Sequence, residues 1–284
     1  MGRIAQTCIT LLAGAAALFA ADKAVLTFPA YADTDICARL MVGPITDART
    51  ECSKSTFKDG DEGLLVRLSD NLVLSVNKQK LLEERIGDFV EATGEVKEKD
   101  GRIKLDSLKS ITRDSVPTGS EFKMLDVRQY KLSGDGAKTW EKVRHELAML
   151  PYTTEFDFIS FALVDGQVIL SGWTVRQTNR SDAERAVKRL EGVKFVTNNI
   201  DVLPLGSTDM QIRAGTRLRL QRMLGRYFWG NGSDIKIIVK NGQTLLLGQV
   251  AQKADSDIAF IQANSVPGAF KVINMLRVAD QVKK

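Results

Sequence analysis

The sequence is poor in the side chains that commonly build catalytic and metal sites. Its 284 residues include a single histidine, His145, and three cysteines. One histidine excludes a site made of several histidines, and the sequence contains no nucleophile elbow, CxxC motif or Walker loop. His145 lies in a predicted helix, where a surface position is the simpler interpretation. We therefore predict that the protein is not an enzyme and that it has no cofactor and no metal site.

Aromatic residues are also few, at 7% of the chain, and the net charge of +5 is modest. A dedicated nucleic-acid-binding protein concentrates more positive charge than this, so we predict no nucleic-acid partner. A mild basic excess still favours anionic surfaces such as phospholipid headgroups.

The chain lacks an apolar run long enough for a confident transmembrane helix of ~20 residues. Its N-terminal apolar run, from about Ile9 to Ala21, is followed by Ala30-Tyr31-Ala32. This arrangement resembles a secretory signal peptide with an A-x-A cleavage site. We predict that residues 1–32 are the signal peptide and that cleavage follows Ala32. The charged pair Asp22 and Lys23 leaves an earlier cut open, and an uncleaved N-terminal anchor is the alternative.

Cleavage of this segment would leave two of the three cysteines. Cys8 would be removed, and because no lipobox precedes it we predict no lipoprotein. The remaining pair, Cys37 and Cys52, predicts a disulfide in an exported chain, with a free or metal-bound pair as the alternative. Such a disulfide would stabilise the fold by ~3 kcal/mol, mainly by restricting the unfolded chain.

The second half of the chain contains an internal repeat. Ile159–Val175 and Ile235–Val250 each place an Asp-Gly or Asn-Gly pair between two alternating apolar runs, which predicts a tight β-hairpin. A predicted helix precedes each hairpin, and a second helix and a strand follow it. This order favours an α+β unit with two helices on one face of a sheet. The equivalent glycines, predicted to be structural, are Gly166, Gly172 and Gly192 in the first copy and Gly242, Gly248 and Gly268 in the second.

The repeated unit resembles the BON domain, named after bacterial osmotically-inducible Y and nodulation proteins. In both copies the resemblance rests on these glycines and on the closing strands, VTNNIDV and VINMLRV. The second copy departs from the pattern where Asn241 replaces the usual Asp and Ala269 the usual Val. We predict BON domains over residues 137–204 and 208–280. The resemblance implies a periplasmic location, binding to phospholipid surfaces and no catalysis.

Residues 33–113 show a different pattern. Short alternating strands, glycine-containing turns and one interposed helix predict a small closed β-barrel. The stretch GDFVEATGEV after that helix resembles the OB-fold. Because Phe89 is the one aromatic residue in the predicted strands, single-stranded nucleic acid is not a favoured ligand. Residues 114–136 are predicted to be a linker. The predicted fold class is thus α+β, with two αββαβ BON-like domains preceded by a small, mostly β, OB-like domain.

The first helix of the second BON-like copy is basic. Its apolar residues have the spacing of a buried stripe, which consists of Leu220, Met223, Leu224, Tyr227 and Phe228. In the second helix of that copy, Ile258 and Ile261 are predicted to be buried.

Three arginines of the first helix, Arg219, Arg222 and Arg226, face away from its apolar stripe. A solvated arginine face is one interpretation; the other is an arginine row against anionic headgroups, with Trp229 in the membrane interface.

These patterns together predict an exported, non-enzymatic envelope protein. Its tandem BON domains would bind phospholipid or another anionic envelope surface and support envelope integrity under stress, including osmotic stress. The alternative is a periplasmic chaperone-like or adaptor protein that acts through protein–protein contacts. No small-molecule substrate is indicated.

Overall fold

The computed structural model describes residues 25–42, 45–112, 135–229 and 233–279. The first 24 residues of the predicted signal peptide and nearly all of the predicted linker lie outside these ranges, so those two predictions stay predictions. Among the described helices, none combines the length and the apolar character that a membrane span requires.

The N-terminal module is a closed barrel of five strands: β1 (Val25–Thr34), β2 (Gly63–Arg67), β3 (Val73–Val76), β4 (Phe89–Lys97) and β5 (Arg102–Ser110). The order around the barrel is β1-β2-β3-β5-β4, and β4 closes onto β1. Strands β3 and β5 are parallel, and the other pairs are antiparallel. A short 3-10 turn, Gln79–Leu81, lies between β3 and β4. The prediction of a small OB-like barrel is confirmed.

Strand β1 corrects the predicted start of the barrel. It pairs with β2 along one edge and with β4 along the other, and Ala30, Tyr31 and Ala32 are fully buried. Cleavage after Ala32 would remove eight of its ten residues. It would also place a charged amino terminus on Asp33, which is itself fully buried. Within the described residues the barrel thus begins at Val25 and not at the predicted boundary, residue 33. Cleavage after Ala32 does not fit this strand pairing, and we propose an earlier cut.

Two helices that the sequence analysis missed lie between β1 and β2. They are α1 (Asp35–Leu40) and α2 (Asp47–Lys58), and the predicted disulfide between Cys37 and Cys52 joins them, with Cα atoms 6.0 Å apart. The disulfide prediction is therefore confirmed. We call this pair of helices, residues 35–58, the helical hairpin.

Helix α2 carries no apolar stripe because its buried face is polar. Its buried residues are Arg49, Ser53 and Thr56. An Arg49 Nη donates to Asp33 Oδ2 at 2.7 Å, and Ser53 Oγ donates to Asp33 Oδ1 at 2.5 Å. The helix is thus fixed to the end of β1 by charge-assisted hydrogen bonds, which a search for apolar periodicity does not detect.

The two BON-like units follow the predicted order of elements. The first contains α3 (Asp135–Ala148), β6 (Phe158–Val164), β7 (Gln167–Thr174), α4 (Gln177–Lys188), β8 (Phe195–Asn198) and β9 (Asp201–Val202). The second contains α5 (Ser207–Leu224), a 3-10 turn (Gly225–Phe228), β10 (Ile235–Lys240), β11 (Gln243–Val250), α6 (Lys253–Asn264) and β12 (Lys271–Val278). Each hairpin is antiparallel, and the last strand joins it in parallel.

The six predicted structural glycines all have positive φ. In each hairpin the two turn residues, Asp165-Gly166 and Asn241-Gly242, both have positive φ, as a type I′ turn requires. A Cβ on Gly172 would lie 2.0 Å from the carbonyl oxygen of Phe158, so that strand position admits no side chain.

Each sheet has one face covered by its own helices and the other partly covered by the helical hairpin. On the second face, Ile36 and Cys37 of α1 pack against Trp173 of the first sheet and against Leu245 and Leu247 of the second. The helical hairpin therefore joins the barrel to both repeated units through one shared apolar cluster.

A buried group of charges lies beside this cluster. Asp35 Oδ1 accepts from Arg39 Nε at 2.7 Å, and Asp35 Oδ2 accepts from Lys240 Nζ at 3.1 Å and from Trp173 Nε1 at 3.2 Å. Lys240 Nζ also donates to Asp201 at 2.9 Å. We call Asp35, Arg39, Asp201 and Lys240 the ionic junction. Burial opposes the charge on Asp35, but Arg39 and Lys240 outweigh it and hold the pKa of this carboxyl well below its usual range.

Asp61 lies next to the ionic junction and accepts from the backbone N–H of Ile36 at 2.8 Å. Burial, and then the negative charge of Asp35, raise the pKa of Asp61 to about 7. An unfolded aspartate titrates at about 3.9, so the folded protein binds the extra proton between these two values. The contribution of Asp61 to stability therefore falls as the pH rises from about 4 to about 7.

We expect Asp61→Asn to raise the free energy of unfolding at about pH 8, by up to about 4 kcal/mol. The amide keeps an oxygen that accepts from Ile36 but carries no charge. The gain should shrink at about pH 5, where the folded wild-type carboxyl is already protonated. Urea titrations of both proteins at the two pH values check this, and a gain that is the same at both would contradict it.

Candidate functional site

The predicted surface-binding residues lie on and just after α5, whose first half is anchored to the sheet. Asp209 accepts from the backbone N–H groups of Asn241 at 3.0 Å and Gly242 at 2.8 Å. Arg213 donates to the carbonyl oxygen of Val239 at 2.6 Å. These contacts fix the helix against the β10–β11 turn, and they use two charged residues whose role is structural.

The inward side of α5 differs in part from the prediction. Leu220, Leu224 and Tyr227 are buried in the core as predicted, whereas Met223 is 57% exposed. On α6, Ile261 is 61% exposed, so its predicted burial is wrong as well. Helix α6 carries apolar residues around more of its circumference than one sheet can cover. This excess in the sequence already indicated that some of them would be exposed.

The three predicted arginines have different surroundings. Arg222 is exposed and Arg219 is half-buried, and within the described residues neither side chain forms an ion pair or a hydrogen bond. Arg226 instead pairs with the buried carboxylate of Asp255, which also accepts from the Tyr227 hydroxyl at 2.6 Å. Burial opposes ionisation of Asp255, but the hydrogen bonds from Tyr227 and Arg226 outweigh it and lower its pKa. The charge of Arg226 is thus largely balanced inside the domain.

Helices α5 and α6 run antiparallel. Arg226 contacts Asp255 at one end of the pair, and a Cβ on Gly215 would lie 3.0 Å from Val266 at the other. Their outer side exposes large apolar residues, including Phe260 at 40%. Trp229, directly after the 3-10 turn, is 82% exposed. We call the following set the outer helix surface: Arg219, Arg222, Met223, Trp229, Phe260 and Ile261.

Within the described residues, the charges left unpaired on this helix pair are positive. Asp209 is bonded to backbone, Asp255 pairs with Arg226, and Asp257 pairs with Lys253. Arg217 pairs with Glu155 of the first unit at 2.5 Å. Single exposed apolar residues are normal on protein surfaces, but several of them beside unpaired arginines are typical of an interfacial helix surface.

The first unit presents a different surface at the corresponding place. Tyr152 follows α3 and is 71% exposed, with the Arg176 guanidinium 5.3 Å from its ring centroid. The exposed charges of α3 are paired, as Arg144 with Glu141 and Lys142 with Glu191 show. His145 lies on the exposed side of α3. Across the described ranges, no three or more His, Cys, Asp or Glu residues are arranged to hold a metal ion.

Parts of the chain are similar to known proteins. The outer membrane lipoprotein DolP of Haemophilus influenzae is 31% identical over 118 residues, which make up 41% of this chain and 60% of that protein. Two structures of CdsD, a structural protein of the type III secretion system of Chlamydia trachomatis, are 13% identical to the chain. They cover 49% and 51% of it, and 96% and 95% of their own chains, with TM-scores of 0.20 and 0.21. At such low TM-scores we draw nothing from either.

The sequence model of the BON domain family matches residues 137–204 and 214–280. The first range spans α3 to β9, and the second begins within α5, later than the predicted start at residue 208, and runs through β12. The chain therefore contains two BON domains, with an OB-like barrel in front of them.

Proposed function

We propose that this protein is a non-enzymatic envelope protein that binds anionic phospholipid surfaces through the outer helix surface of its second BON domain. The observation that carries the proposal is the coincidence of unpaired arginines with exposed apolar side chains on one helix pair. Arg222 supplies a free cation, and Trp229 supplies a large amphipathic ring that suits a membrane interface.

The location supports the same proposal. The leader-like N-terminal sequence and the Cys37–Cys52 disulfide both fit an exported protein in an oxidising compartment. The name of the related DolP protein places that relative at an outer membrane. We extend the proposal to a periplasmic protein that supports envelope integrity under osmotic and other stress.

The structure changes the expected strength of the contact. A basic residue near an anionic membrane adds ~1 kcal/mol of binding free energy. Because Asp255 balances Arg226, the main electrostatic contribution comes from Arg219 and Arg222, or ~2 kcal/mol. Binding should therefore be reversible and should weaken as salt is added.

Co-sedimentation with vesicles of phosphatidylglycerol and phosphatidylcholine tests the proposal. We expect Arg219→Gln with Arg222→Gln to weaken binding to the anionic vesicles by about tenfold or more, because both free cations are lost. A matched control, Arg144→Gln with Arg185→Gln, removes two cations from the first BON domain and should leave binding nearly unchanged.

The variants also separate the membrane contact from its alternatives. Arg226→Gln breaks the pair with Asp255. It should therefore lower the free energy of unfolding of the protein but change its affinity for vesicles only slightly. Vesicle binding that is the same in the Arg219/Arg222 variant as in the wild type would contradict the proposed surface. Capture of a partner protein that is insensitive to salt, without vesicle binding, would favour the adaptor role.

A further inference from the structure

A cavity of ≈ 510 Å³ lies where the helical hairpin meets both BON sheets. Leu40 and Met41 at the end of α1 form one wall, and Phe158 of the first BON domain forms another. The second BON domain contributes Leu247 and Met275. All three modules of the chain therefore contribute apolar side chains to one cavity.

The cavity follows from the register of the second sheet. Leu247 of β11 pairs with Met275 of β12, and two residues further along Gln249 pairs with Arg277. These alternate positions share the sheet face that lies opposite α5 and α6. Helix α1 is only six residues long and ends at Leu40. It therefore covers only part of this sheet face. The face thus continues past the hairpin and ends in the two exposed polar residues.

The composition of the cavity selects a class of ligand. Protein interiors are normally close-packed, whereas cavities of about 300–1,000 Å³ with apolar walls and few polar groups are typical of ligand sites. Methionine side chains adapt to flexible apolar guests. Arg277 is exposed and forms no ion pair or hydrogen bond within the described residues. A guanidinium in this position suits a carboxylate or a phosphate.

We propose that this cavity binds a single-chain anionic amphiphile, with the alkyl chain among Leu40, Phe158, Leu247 and Met275 and the head group at Arg277. The site lies on the opposite face of the second BON sheet from the outer helix surface. It is therefore independent of the proposed membrane contact, and it takes one dissolved molecule instead of a bilayer.

Isothermal titration calorimetry with palmitate and with palmitoyl-lysophosphatidylglycerol, each below its micelle concentration, tests the site. The wild-type protein should bind with 1:1 stoichiometry, and the tighter of the two ligands identifies a fatty acid or a lysophospholipid as the source. Arg277→Gln should weaken binding of both by about tenfold through loss of a charge-assisted contact. Binding of the uncharged monopalmitoylglycerol should not change in this variant.

A second variant and a control locate the site. Gln249→Trp places a large ring over the mouth of the cavity from an exposed position, so it should abolish binding while the thermal unfolding midpoint stays close to that of the wild type. Arg222→Gln should bind both amphiphiles normally, and Arg277→Gln should still bind anionic vesicles. Absence of saturable binding by the wild type, or wild-type affinity in either Arg277→Gln or Gln249→Trp, would overturn the proposal.

Discussion

A chain that begins at Asp33 is expected to lose its folded barrel, whereas a chain that begins at Val25 is expected to keep it. The shorter chain lacks Phe28, Ala30, Tyr31 and Ala32, all of which are buried. It also lacks the backbone hydrogen bonds by which β1 closes the sheet against β2 and β4. Because a domain normally has a total stability of only about 5–15 kcal/mol, loss of a whole barrel strand should unfold this module.

Circular dichroism melting and two-dimensional NMR spectra of the two chains provide the comparison. The chain from Val25 should show dispersed signals from the barrel and a cooperative transition, and the chain from Asp33 should show neither for that module. Mass spectrometry of the protein isolated from the cells that produce it should correspondingly find a mature N-terminus at or before Val25. A mature, folded protein that starts at Asp33 would contradict the role assigned to β1.

Asp35→Ala is expected to lower the free energy of unfolding by about 3–5 kcal/mol, because it removes the carboxylate that pairs most closely with the buried Arg39. Arg39 is 6% exposed, and the carboxylate of Asp201 left beside it lies farther away, at 3.9 Å. Lys240 would lose Asp35 but keep Asp201 and Glu62, and Trp173 would lose its hydrogen bond to α1. The damage should therefore include the arrangement of the three modules.

Urea unfolding and small-angle X-ray scattering measure the two effects. The matched control is Asp257→Ala, which removes an aspartate from the exposed pair with Lys253 and should cost less than about 1 kcal/mol. Asp35→Ala should also enlarge the radius of gyration under native conditions. Equal losses of stability in the two variants would show that the ionic junction does not hold the modules together.

Local backbone requirements were the most predictable part of this fold. A type I′ turn requires positive φ at both central positions, and the two adjacent residues Asp165-Gly166 or Asn241-Gly242 are enough to predict it. The same logic located both BON domains. The prediction of cleavage after Ala30-Tyr31-Ala32 does not fit the barrel, because small residues suit both a cleavage motif and a crowded barrel strand. Only the pairing partners, residues 63–67 and 89–95, distinguish the two.

The candidate surface was predictable only in part, since the fate of each arginine depends on distant residues. Arg226 is balanced by Asp255, which lies on the next helix of the domain, and no spacing rule within α5 reveals that pair. The exposure of Met223 and Ile261 depends likewise on how α5 and α6 pack against each other. The exposure of Trp229 could be predicted, because this residue follows the end of the amphipathic stripe.

The most direct test of the membrane contact is quenching of Trp229 by brominated phospholipid. Trp173 is 1% exposed and Trp140 is half-buried against Phe161, so a bilayer on the outer helix surface should reach Trp229 alone. We expect vesicles of brominated phosphatidylglycerol to quench part of the wild-type emission, and to quench Trp229→Phe much less at equal bound protein. Equal quenching of the two bound proteins, or none in either, would contradict the contact.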